Sequence, residues 1–230
     1  MQWAAQVTHA RDSGHGSAGQ VVVLFLAYAF VHSAFASGQA KAWARSRFGD
    51  RLRNGVYRFL FNVQAVVLLV PAGWIFWRLP DRTLYQVPQP WSWLLHLGQA
   101  AGIGLMLVTA KSVGIGGITG LRPLWMFLRG DTPPAEPEAQ GPVQTSAGEM
   151  RMTGPFRYTR HPANWGPLPA VLLWPRMTVN RATLAVLSVA YLVLGSLHEE
   201  LRLTAAYGAA YERYRRSVPF LLGLSRPPPG

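Results

Sequence analysis

The sequence contains no cysteine and few charged residues. Without cysteine, its 230 residues cannot form a disulfide, a thiolate metal site or a cysteine nucleophile. Charged residues make up 14% of the chain, well below the roughly 25% of a soluble domain. The sequence also lacks a GxSxG, an HExxH, a P-loop and a Rossmann fingerprint. These absences disfavour an ordinary soluble enzyme, nucleoside triphosphate chemistry and hydrolysis.

The scarcity of charge leaves long uncharged blocks that are typical of membrane spans. Four of them cover residues 21–36, 59–77, 91–110 and 182–198. A helix of 20 residues is about 30 Å long, which matches the hydrocarbon thickness of a bilayer. A shorter uncharged segment, 162–174, is predicted to form the first arm of a C-terminal helical hairpin whose second arm is 182–198. We therefore predict an all-α integral membrane protein with about five transmembrane helices.

Basic residues alternate between the segments that join these blocks. The formal net charge is +12. Residues 39–58, residues 111–161 and the tail after residue 201 hold 17 of the 22 lysines and arginines. The positive-inside rule then places the N-terminus outside and the C-terminus in the cytoplasm, in the inner (cytoplasmic) membrane. Basic residues dispersed along membrane-adjacent loops indicate attraction to the lipid bilayer and no nucleic-acid partner.

Residues 130–149 separate two regions of the chain. Their four prolines and four acidic residues predict a flexible cytoplasmic loop. This loop divides an N-terminal three-span region, 1–129, from a C-terminal region, 150–230, that contains the hairpin and an amphipathic helix. The amphipathic pattern spans residues 200–216 and places Tyr211 and Tyr214 on one face together with Tyr207. It predicts a cytoplasmic interfacial helix with its tyrosines at headgroup depth, and a lid over a cytoplasm-facing pocket is the alternative.

Polar residues that could carry chemistry cluster in the C-terminal third. Arg160 and His161 precede Pro162 at the start of a short apolar helix, where the helix dipole favours an anion. Glu199 and Glu200 end the last span, where the dipole disfavours negative charge. Both arms of the predicted hairpin reach the same membrane face there, so these four side chains can converge. The pattern leaves open a structural Arg–Glu pair or a site for a ligand with cationic and anionic groups.

These motifs together resemble the isoprenylcysteine carboxyl methyltransferase family of integral membrane enzymes. The resemblance rests on RHP at 160–162, Gly166, the glutamate pair at 199–200 and Tyr-x-x-Tyr-x-x-x-Val-Pro at 211–219. The stretches 32–36 and 120–130 look similar to a branch that contains bacterial methanethiol S-methyltransferases and NnrU-type proteins.

The resemblance implies that the chain binds S-adenosylmethionine, with the C-terminal hairpin and its surroundings as the cofactor site. Arg160, His161, Glu199 and Glu200 match the family's cofactor elements, and further cofactor-binding positions are Gly114, Gly116, Asn164, Trp165, Tyr211 and Tyr214. Asn164 stands where the family usually has tyrosine, which leaves the acceptor open among small or lipophilic thiols, carboxylates and amines. No catalytic residue or metal is predicted, because methyl transfer needs alignment and exclusion of water more than a protein nucleophile.

Two other functions remain open from the sequence. His32, His96 and His198 lie in or near predicted spans, and ionisable residues inside a membrane are functional candidates. Two of them could ligate haem, as in the carotenoid isomerase that NnrU-type proteins resemble. A non-catalytic membrane scaffold that retains the hairpin is the third possibility.

Overall fold

The computed structural model describes residues 2–136, 142, 144–146 and 148–221, with side-chain environments from residue 17 onward. Its elements are α1 (Gln2–Ala36), α2 (Gly38–Arg78), β1 (Thr83–Gln86), α3 (Ser92–Val113), α4 (Ile115–Ile118), α5 (Leu121–Leu128), a 3-10 turn (Gly154–Arg157), α6 (Pro162–Trp165), α7 (Leu168–Leu172), β2 (Arg176–Thr178), α8 (Val179–Tyr207) and α9 (Ala209–Ser217). Gly49, with a φ of 78°, interrupts α2.

In the part of the chain that the structure describes, four helices are long and apolar enough to cross a membrane: α1 from Ser17 onward, α2, α3 and α8. Their large apolar side chains point away from the protein, as shown by Phe30 (75% exposed), Val70 (65%) and Leu97 (67%). A soluble protein would bury such side chains, whereas a bilayer solvates them. The structure therefore agrees with an all-α membrane protein. The count of five spans and the orientation stay predictions.

The segment predicted as one short helical arm consists of two short helices, α6 and α7. Gly166 and Pro167 separate them, and proline lacks the N–H that a continuous helix requires. The segment still runs antiparallel to α3 in close contact. A Cβ added at Gly166 would lie 2.5 Å from Met106 Cγ, and one added at Gly98 would lie 2.4 Å from Leu173 Cδ1. The two short helices thus pack along α3 without forming a continuous helix, and we call them together the α6–α7 segment.

A small antiparallel sheet joins the two connections that carry few basic residues. Strand β1 follows α2, strand β2 precedes α8, and the two strands pair from Thr83 with Thr178 to Gln86 with Arg176. The backbone N–H of Val87 also donates to Pro175 O at 2.8 Å. The end of α2 and the starts of α3 and α8 consequently lie at one end of the bundle, as the alternation of charge predicts.

Helix α9 folds back onto the end of α8 and closes a small core. Gly208, with a φ of 51°, turns the chain between the two helices. Tyr211 and Tyr214 are 0% and 3% exposed and pack with Leu203 and Val218. The expectation that these two tyrosines lie at headgroup depth is wrong. A residue in the left-handed region redirects the helix, so its aromatic face meets protein rather than the membrane surface.

Candidate functional site

The motif residues 160–161 and 199–200 meet in one network, and its centre is Glu200. Arg160 Nε donates to Glu200 Oε1 at 2.6 Å. One ring nitrogen of His161 lies 3.1 Å from the same oxygen, and the other lies 3.3 Å from Glu199 Oε2. The sequence prediction that the four side chains can converge is confirmed. We call these four residues the ion-pair network.

Arg160 is fixed on several sides by the chain that follows α9. Its Nη1 donates to Arg215 O and to Val218 O, both at 2.8 Å, and its backbone N–H donates to Pro219 O at 3.0 Å. Such a guanidinium satisfies backbone carbonyls and a carboxylate together. The side chain is thereby held against the protein, so Arg160 acts as a positioning residue for Glu200.

Glu199 and Glu200 occupy different environments although they are neighbours on α8. The Glu200 carboxylate contacts both Arg160 and His161. Glu199 lies 3.3 Å from His161, and its side chain is 18% exposed. Glu199 also lines a cavity of about 690 Å³ between α1, α2 and α8. Cavities of roughly 300–1,000 Å³ accommodate small-molecule ligands. Of the two glutamates, Glu199 is the one available to a ligand in this cavity.

Two side chains of α6 bind neighbouring parts of the chain. Asn164 contacts α8, and Trp165 contacts the chain after α9. Asn164 Nδ2 donates to Ser196 Oγ at 2.8 Å, and Asn164 also lines the cavity. Trp165 Nε1 donates to Phe220 O at 3.0 Å. Asn164 therefore faces the place where a ligand would lie, while Trp165 braces the C-terminal segment.

Tyr211 and Tyr214 lie behind the ion-pair network. The hydroxyl of Tyr214 donates to Phe156 O at 2.9 Å. The hydroxyl of Tyr211 is buried and has no hydrogen-bond partner among the described residues. Burial, with the negative charge of Glu200 as a smaller contribution, raises the pKa of Tyr211 far above its ordinary value. Tyr211 therefore stays neutral and offers an unused hydroxyl beside the network.

Two predicted cofactor positions lie elsewhere. Gly114 ends α3 with a φ of 105°, and Gly116 lies in α4 against the Cβ of Arg122. Neither glycine lines the cavity that Glu199 faces. Their part in cofactor binding remains a prediction.

The three histidines of the haem interpretation are distributed over two places. His32 and His198 line the cavity, whereas His96 lies on α3 with Nδ1 3.0 Å from Gln99 Oε1. His32 stacks between Tyr28 and Phe61, with ring centroids 5.5 and 4.7 Å away. Its Nδ1 is buried and has no hydrogen-bond partner among the described residues. His32 thus lines the cavity, while its unpartnered Nδ1 is buried against the protein.

Sequence reasoning missed a group of charged side chains on another wall of the cavity. Lys41 and Arg58 from α2 and Glu136 from the segment after α5 all line it. Glu136 lies 3.4 Å from Lys41 Nζ and accepts a hydrogen bond from Arg58. The composition of residues 130–149 predicts a solvated loop. One buried, ion-paired glutamate in such a loop cannot be distinguished by its sequence from the exposed acidic residues around it. The six basic residues of 39–58 were the only available signal.

Comparison with known proteins identifies relatives along most of the chain. It is 28% identical to a methanethiol S-methyltransferase of Pseudomonas deceptionensis, over 95% of this chain and 79% of that protein. It is also 28% identical to one of Mycobacterium tuberculosis, over 94% and 82%, and 26% identical to one of Crocosphaera subtropica, over 85% and 70%. No family model matches the chain, and no solved structure matches significantly. These relatives confirm the resemblance seen in the motifs and support an enzyme that transfers a methyl group.

Proposed function

We propose that this protein is a membrane methyltransferase that uses S-adenosylmethionine to methylate a small or lipophilic thiol. The observation that carries the proposal is Glu199, which faces the cavity while its neighbour Glu200 is held by Arg160 and His161. The proposal draws the methyl-transfer chemistry and the thiol from the names of its relatives.

The side chains around Glu199 fit the polar groups of this cofactor. A carboxylate binds the ammonium group or the ribose hydroxyls of S-adenosylmethionine. The hydroxyl of Tyr211 is buried in the core beside the ion-pair network and has no hydrogen-bond partner among the described residues. Glu199 would hold the cofactor, and Asn164 would supply an amide at the cavity wall. Arg160 and His161 would act by fixing the two carboxylates. When bound, the cofactor supplies an electrophilic methyl group on a sulfonium.

The acceptor thiol needs a group that removes its proton, because the thiolate is the nucleophile. We assign this role to the imidazole of His32, which lines the cavity. Its buried Nδ1 has no partner among the described residues, so rotation of the ring toward the thiol breaks no hydrogen bond at that atom. Ser33 Oγ lies 2.9 Å from Tyr191 Oη, so His32 is at the level of Tyr191 on α8. Glu199 follows Tyr191 by eight residues, about 12 Å along a helix. The proposed acceptor end and cofactor end of the cavity are thus separated along α8.

The apolar walls give an acceptor of low polarity a place to bind. Phe61 and Leu192 line the cavity near His32, and they exclude water from the reacting thiol. Alignment of the two substrates is the main requirement of a methyl transfer, and no protein nucleophile is needed. The composition of the cavity wall supports the proposed methyl transfer.

Transfer of tritiated methyl from S-adenosylmethionine tests the proposal. Purified protein in nanodiscs would be offered small thiols, lipophilic thiols, carboxylates and amines in parallel. We expect labelled thioether from the thiols and background counts from the other two classes. Labelled ester or methylamine without thioether would contradict the thiol assignment. No transfer to any class, together with a Soret absorbance band in the purified protein, would favour the haem-binding alternative.

A further inference from the structure

Three cations of α2 surround one carboxylate at the wall of the cavity. Besides Lys41 and Arg58, Arg53 contributes, with Nη2 3.4 Å from Glu136 Oε2. All four side chains are largely buried, with exposures between 7% and 15%. We call Lys41, Arg53 and Arg58 the basic cluster.

The basic cluster carries more charge than its carboxylate neutralises. Three positive charges face one negative charge, and Arg202 of α8 adds another cation to the cavity lining. Among the residues that the structure describes, the acids that line the cavity are Glu136 and Glu199, and Glu199 is engaged by His161. Buried charges without partners cost several kcal/mol each, so the cluster requires an anion at the position of Glu136 and accommodates one of higher charge.

Unused hydrogen-bonding atoms support the same conclusion. The Nε atoms of Arg53 and Arg202 are buried and have no hydrogen-bond partner among the described residues. Guanidinium groups bind carboxylate and phosphate oxygens in pairs, so these two arginines retain donor capacity that Glu136 does not use. Glu136 meanwhile demonstrates that a carboxylate fits between Lys41 and Arg58.

We propose that the basic cluster is an anion-binding subsite of the cavity, and that Glu136 occupies it as an intramolecular carboxylate. Its ligand is a molecule with a carboxylate or phosphate group, and binding displaces Glu136. This inference goes beyond the proposed methyl transfer and does not depend on it. A free anion and the phosphate of an acidic lipid present the same chemistry to these cations.

Anion binding to Glu136→Gln tests the proposal, since this variant removes the competing charge and keeps the side chain's size. The probes are inorganic phosphate and propionate, added to protein in phosphatidylcholine nanodiscs, and the readout is the shift of each variant's own melting temperature. A parallel series replaces part of the lipid by phosphatidylglycerol. We expect Glu136→Gln to bind an anion roughly tenfold or more tightly than the parent, because a carboxylate–arginine pair no longer has to be broken.

Matched variants separate a built site from general attraction to positive charge. Arg58→Gln in the Glu136→Gln background should abolish the effect. Arg45→Gln in the same background should leave it unchanged, because Arg45 is exposed and pairs with Asp50. A shift with free phosphate or propionate identifies a soluble ligand, and a shift only with phosphatidylglycerol identifies a lipid headgroup.

A Glu136→Gln protein that none of the three anions stabilises would overturn the proposal, as would equal stabilisation of the Arg58→Gln double variant. Glu136 would then be a structural anchor of its segment. If Glu136→Gln does not fold, Glu136→Asp takes its place, because its shorter side chain weakens the intramolecular contact and keeps the charge. Methyl transfer by the parent protein is measured separately, so failure of the anion site and failure of the proposed function remain distinguishable.

Discussion

At the scale of single residues, two adjacent glutamates have different physical roles. Glu200 is more buried and bonds to Arg160 and His161, so its charge is compensated within the protein. Glu199 contacts His161 at 3.3 Å and faces the cavity. A helix carries successive side chains about 100° apart, which allows one carboxylate to brace the fold while its neighbour meets a ligand.

His32 should set the dependence of methyl transfer on pH. If the His32 imidazole accepts the thiol proton, activity falls at acid pH as the imidazole becomes protonated and can no longer act as a base. His32→Gln should lower kcat by roughly 10²- to 10⁴-fold, the usual contribution of a general base, and should remove this acidic limb. The measurement is the pH profile of thiol methylation by both proteins.

His96→Gln is the matched control for His32→Gln. His96 is also a histidine of an apolar helix, but it pairs with Gln99 and does not line the cavity. It should leave the rate and the profile unchanged. His198→Gln tests the other histidine of the cavity, which is exposed. A parental pH profile in His32→Gln would show that His32 takes no proton.

At the scale of elements, the contact between α3 and the α6–α7 segment depends on Gly98, Gly102 and Gly166. A Cβ added at Gly102 would lie 2.6 Å from Gly166 O, a backbone atom that cannot move aside cheaply. Gly102→Ala should therefore destabilise the protein by about 1–3 kcal/mol, as overpacking does, and lower its melting temperature by several degrees. Thermal unfolding in detergent measures the effect.

Gly104→Ala provides the control on the same helix. A Cβ there would meet nothing within 4 Å, so this variant changes helix propensity without changing the contact. Its melting temperature should equal or exceed that of the parent. If Gly102→Ala and Gly104→Ala have the same melting temperature, the α6–α7 segment does not pack against α3 as closely as the structure places it.

The sequence predicted elements whose signal is local and missed those that depend on distant partners. Long apolar helices and the meeting of Arg160 with Glu200 could be predicted, because hydropathy and motif spacing reveal them. The inward face of Tyr211 could not, since amphipathic spacing does not distinguish a membrane surface from a protein core. Glu136 was missed because its partners lie on α2, nearly 80 residues away in the sequence. The sequence shows Gly166 and Pro167 inside the uncharged segment 162–174. The absence of charge along that segment nevertheless favoured a single helix.

At the scale of the whole molecule, the distribution of charge predicts the orientation in the membrane. The chain has no cysteine, so a single introduced cysteine reports one position. Ser146→Cys should react with a membrane-impermeant maleimide only after the cells are opened, because its loop is predicted to be cytoplasmic. Gln86→Cys in β1, which is exposed, should react on intact cells. The reverse pattern would contradict the predicted orientation and the entry of the cofactor from the cytoplasm.

Calorimetric binding of S-adenosylhomocysteine tests most directly whether Glu199 holds the cofactor while Glu200 stabilises the fold. The parent protein, Glu199→Gln and Glu200→Gln would be compared, together with their melting temperatures. Glu199→Gln should lose ~1.5–3 kcal/mol, or roughly 10- to 150-fold in affinity, and melt near the parent. Glu200→Gln should melt lower, because Arg160 loses its buried partner, while its folded fraction binds nearly as the parent does. Parental affinity in both variants would contradict a cofactor site at these carboxylates.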